Sequence, residues 1–105
     1  MEDLLQLFLD IGYSLEGSVK SQMFGKECFK INHKAYTCFY QNNMVFKLTG
    51  EAHKAAIALE GAELFDPGGI GRRMKEWVIV PGIHKDLWPA FARAARAYTA
   101  TGVKA

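Results

Sequence analysis

The feature that most constrains this chain is residues 23–48, where runs rich in Phe, Tyr, Val and Ile are cut at Asn32-His33 and again at Asn42-Asn43. Asn tolerates the positive φ of tight hairpin turns, so the stretch predicts three strands in an antiparallel meander. Side chains alternate between the two faces of a strand, and turn length therefore decides which residues share a face. A two-residue turn at Asn42-Asn43 pairs Gln41 with Met44 and groups Thr37, Phe39, Met44, Phe46 and Leu48 on one apolar face. A two-residue first turn would send Phe29 and Ile31 to the other side. A three-residue turn, Ile31-Asn32-His33 with His33 left-handed, instead keeps Phe29 with Ala35, Thr37, Phe39, Phe46 and Leu48. The strain at His33 costs roughly 1 kcal/mol, whereas each misplaced Phe forfeits roughly 1.5–3 kcal/mol of burial. The three-residue turn is the expected one.

That register leaves Lys26, Cys28, Lys30, Tyr36, Cys38, Tyr40, Val45 and Lys47 on the opposite face, a mixture of cations and aromatics. Three uses compete for it. Antiparallel sheets commonly leave one face to solvent. Tyrosines also anchor protein contacts, which makes the face a candidate surface for a homodimer or a partner protein. The alternative is a single-stranded nucleic-acid platform, with bases stacked on Tyr36 and Tyr40 and phosphates near the lysines. The strand Lys34-Ala35-Tyr36-Thr37-Cys38-Phe39 lacks the glycines of an RNA-recognition signature.

Helical spacing flanks the meander. Leu4, Leu5, Phe8, Ile11 and Leu15 predict a helix over about 2–13, with Gly12 marking where it frays. Thr49 is placed to cap a second helix over about 50–60, stopped by Gly61. A short strand at 62–65, a turn-rich segment and a strand at 74–80 follow, the last ended by Pro81-Gly82. A final helix is expected over about 84–98, with Leu87, Trp88, Phe91, Ala95 and Tyr98 on its inner side and Pro89 in its first turn. The order α-β-β-β-α-β-β-α predicts a two-layer α+β fold, largely antiparallel, with helices on one face.

At 105 residues with half of them apolar, the chain is one domain spanning 1–105. A net charge of +2 is too weak a field to imply nucleic acid by itself. The acidic start Met1-Glu2-Asp3 is unlike a secretory signal, and no apolar run reaches the ~18 residues of a membrane span. Two cysteines without an export signal predict reduced thiols in the cytoplasm, with no membrane partner.

Few residues suggest chemistry. Asp66-Pro67-Gly68-Gly69-Ile70-Gly71-Arg72-Arg73 is a candidate anion-contact loop, in which Gly68, Gly69 and Gly71 let amides converge and Arg72 and Arg73 add guanidinium groups. It runs into a strand and not a helix, unlike a P-loop, so no cofactor is expected. His33, His53 and His84 lie in separate segments with no ligand at zinc spacing, so no metal is expected. The expected register sets Cys28 opposite Tyr36 and Cys38 opposite Lys26, a diagonal that disfavours a disulfide. Neighbouring lysines would lower a thiol pKa, leaving a redox role open. No catalytic residues are assigned, since no nucleophile set appears, and the expectation leans against an enzyme.

Met23-Phe24-Gly25, Cys28-Phe29-Lys30, Lys34-Ala35-Tyr36, Val45-Phe46-Lys47-Leu48 and Leu64-Phe65-Asp66-Pro67 stand in an order that continues through Gly71-Arg72 to Met74-Lys75-Glu76-Trp77-Val78. Over about 21–98 this resembles the TfoX N-terminal-domain family. The resemblance implies a two-layer fold like that of secretion chaperones and a link to bacterial competence regulation. The family's regulators carry a further DNA-binding-like helical domain, for which these 105 residues offer no counterpart. His33, Ile70 and Arg73 depart from the family pattern at both loops. The resemblance therefore implies a stand-alone, non-catalytic interaction or regulatory domain, acting through homodimer or partner contacts.

Overall fold

The computed structural model describes residues 3–23, 25–66 and 74–101. Its elements are α1 (Leu4–Ser14), β1 (Val19–Met23), β2 (Lys26–Ile31), β3 (Lys34–Tyr40), β4 (Asn43–Lys47), α2 (Gly50–Ile57), β5 (Glu63–Phe65), β6 (Met74–Val80), a 3-10 segment (Gly82–Leu87) and α3 (Trp88–Thr101). The strands form one sheet in the order β1-β2-β3-β4-β6-β5, with every neighbouring pair antiparallel. All three helices pack residues into one core against a single face of that sheet. The fold is α+β, as the sequence predicts, with one strand more.

The added strand is β1. Val19-Lys20-Ser21-Gln22-Met23 has neither the aromatic density nor the strict alternation that marks a strand, and it forms by pairing with β2 at the sheet edge. Asp3 caps α1, its side chain accepting from the Gln6 amide at 3.2 Å. Gly12 does not fray the helix but lies buried inside it. A Cβ there would stand 2.1 Å from the Phe29 ring, so glycine sets how closely α1 approaches the sheet. Thr49 precedes α2 without a side-chain capping bond, and the helix ends at Ile57, short of the expected 60. The last helix is split: Gly82–Leu87 is 3-10, Leu87 is exposed, and α3 buries Trp88, Ala92, Ala95 and Thr99. Trp88 anchors it, donating from Nε1 to the Val80 carbonyl at 3.2 Å.

Both hairpins differ from the expected register: the first turn is one residue shorter than expected, and the second keeps two residues but begins one residue earlier. Each turn has two residues, both at positive φ: Asn32 and His33 in the first, Gln41 and Asn42 in the second. That is the turn whose twist matches the strands. In the second hairpin Phe39 faces Met44, two places from the expected pairing but of the same parity, so the grouping of Thr37, Phe39, Met44 and Phe46 survives. In the first, Ile31 faces Lys34 and Lys30 faces Ala35, and the ladder then skips Tyr36 so that Phe29 faces Thr37. A β-bulge, not a third turn residue, restores the parity that buries Phe29.

Candidate interaction surfaces and the paired cysteines

The bulge redistributes the eight residues expected on the open face. Tyr36 turns to the helix side, where it is fully buried and its hydroxyl shares a 2.7 Å hydrogen bond with Ser18 Oγ. Burial holds its phenol above the ordinary range. Ala35 moves the other way, from the apolar group to the second face. Of the two tyrosines expected on that face, only Tyr40 remains there.

The second face is also less open than expected. Cys28, Cys38 and Val45 are fully buried in a second apolar cluster with Phe65, Trp77 and Ile79. Phe65 reaches this cluster by strand alternation, since its neighbour Leu64 faces Val78 of the helix-side core, and the ladder then shifts so that Phe65 faces Met74. Its ring meets Tyr40 edge-on at 5.3 Å, and Lys26 Nζ sits 5.2 Å from the Tyr40 ring centre. Lys26, Lys30 and Lys47 form a partly buried rim around an apolar centre. Lys47 reaches toward Tyr98, 5.9 Å from its ring, and Tyr98 donates to the Glu76 carboxylate, a bond that keeps the phenol protonated. A signal for this second layer stands in the sequence: Trp77-Val78-Ile79-Val80 is an unbroken apolar run, the pattern of a strand covered on both faces.

Cys28 and Cys38 are free, and the bulged register brings them directly opposite each other, correcting the expected diagonal. Lysines do not activate them. Burial dominates, raising the Cys28 thiol and pushing Cys38 up to about 12, where the neighbouring Cys28 adds to the rise.

Among the described residues, β1 and β5 lie at the two edges of the sheet. β1 pairs on one side only, and Val19 is 62% exposed. Its one charge, Lys20, is bound 2.7 Å from Glu27, whose carboxyl is held below its ordinary range chiefly by that hydrogen bond. A shallow apolar groove is also lined by Leu4, Pro81 and Ile83.

The candidate anion loop, Gly68, Gly69, Gly71, Arg72 and Arg73, lies outside the described residues. The histidines stay apart: His33 sits in its turn, His53 Nε2 bonds the Lys75 carbonyl at 2.8 Å, and His84 Nε2 bonds the Glu60 carbonyl at 2.9 Å. Among the described residues no three His, Cys, Asp or Glu side chains converge as a metal site would require, and no helix is long and apolar enough to cross a membrane. Comparisons with protein-family models, curated proteins and solved structures returned no match.

Proposed function

We propose that this chain is a cytoplasmic, non-catalytic protein-interaction or regulatory domain, similar to the TfoX N-terminal domain, that works as a homodimer joined edge to edge through β1. The observation that carries the reading is the uncapped edge itself. Edge strands are ordinarily blunted by proline, a bulge or a free lysine. β1 has an unshifted ladder with β2, no proline, and a lysine already neutralised by Glu27. Antiparallel pairing of two copies about Ser21 would set Val19 opposite Met23 and Lys20 opposite Gln22, with no like charges face to face. Such a contact is isologous and closes on itself.

The sheet-face reading loses its support with Tyr36 buried, and the nucleic-acid alternative loses one of its two stacking rings. Rim lysines alone would give only a salt-sensitive, unspecific affinity.

Sedimentation of the parent and of Ser21→Lys tests the proposal. The substitution places two ammonium groups opposite each other at the axis while leaving the helix-side core untouched. A concentration-dependent dimer that dissociates in Ser21→Lys is expected. A parent that is monomeric at every concentration refutes the homodimer, and a dimer indifferent to the substitution refutes the edge.

A further inference from the structure

Cys28 and Cys38 face each other across the β2–β3 ladder with both side chains in the second apolar cluster. Facing residues of an antiparallel pair have Cα atoms about 4.5 or 5.5 Å apart, within the roughly 4.4–6.8 Å that disulfides span. Their Cβ atoms, about 4.5–5.5 Å apart in such pairs, must approach slightly to reach the roughly 3.5–4.5 Å of a bonded pair. The bond is thus within reach, with residual strain that favours its later reduction.

We propose that Cys28 and Cys38 form a reversible thiol–disulfide site, oxidised by small soluble disulfides to an intramolecular bond that ties β2 to β3. The Cys28 thiol gives up its proton and its sulfur attacks one sulfur of the small disulfide, breaking that S–S bond and releasing the first small thiol. Cys38, likewise deprotonated, then attacks the Cys28 sulfur of the mixed disulfide and expels the second. Two protein thiols are oxidised and one small disulfide is reduced to two thiols. Cys28 lies nearer the edge strand, opposite Ser21 of β1, and so acts first. Cys38 is the resolving thiol. Both are covered, so the exchange waits on local opening of the cluster around Tyr40 and Met23. The site is independent of the edge pairing.

The test incubates the folded full chain with reduced and oxidised glutathione at graded ratios and follows thiol content, mass and circular dichroism. The expected product has lost both thiols together, is lighter by two hydrogens, stays a single chain on a non-reducing gel and keeps its folded spectrum. Cys38→Ser should stop at a glutathione adduct on Cys28. Urea below the unfolding transition should speed the parent's reaction several-fold. Retention of both thiols at the most oxidising ratio, oxidation confined to the unfolded chain, or loss of the folded spectrum on oxidation would each overturn the assignment.

Discussion

Single atoms decide several contacts in this protein. Gly12 is the sharpest case, because a methyl group there would overlap the Phe29 ring. Gly12→Ala should destabilise the fold by about 1–3 kcal/mol, the usual cost of overpacking a core, read as a lower denaturation midpoint. Removing the Tyr36 hydroxyl leaves the Ser18 hydroxyl without its 2.7 Å partner. Tyr36→Phe should therefore cost about 0.5–1.5 kcal/mol. Cys38 supplies a pH dependence. Its folded pKa of about 12 lies above the ordinary value of 9.0, so the folded state holds the proton more tightly than the unfolded state. Stability from this group is complete below about pH 9 and falls as the pH rises toward 12. Equilibrium unfolding of the parent and of Cys38→Ala at pH 8 to 11 should show a steeper alkaline loss in the parent, and parallel curves would contradict it. The fates of Tyr36 and Gly12 were not legible in the sequence, since each depends on a neighbour about 17 to 18 positions away in the chain.

Elements were more legible than their registers. Apolar spacing located α1, α2, α3, β5 and β6, and the Asn-containing breaks located both hairpins. The twist of paired strands selected two-residue turns, and a bulge at Tyr36 then absorbed the mismatch with the hydrophobic pattern. Gln41 and Asn42 occupy positive φ at 49° and 65°. Replacing that pair with Asn-Gly should stabilise the hairpin by about 1 kcal/mol, because the strain of a left-handed non-glycine residue is relieved. Calorimetry showing a lower melting temperature would contradict this account. β1 escaped notice because its own composition says little, and an edge strand is made by its neighbour.

At the scale of the whole molecule, the sheet carries two cores, not one core and one wet face. The smaller depends on Phe65, fully buried although β5 is a three-residue strand at the sheet margin. Phe65→Ala should cost about 3–5 kcal/mol, far more than a solvated margin would lose, and a shift below 1 kcal/mol in urea denaturation would refute the second core. The sequence by itself determined the α+β class, the helix-side core and the positions of nearly every element, because these follow from local apolar periodicity. Only the tertiary structure decided that Tyr36 is buried, that the two cysteines meet, and that Val19–Met23 forms a strand at the sheet edge. The first two outcomes turn on one skipped residue in a strand pairing, and pairing is a contest between twist, turn strain and burial that adjacent residues cannot resolve alone.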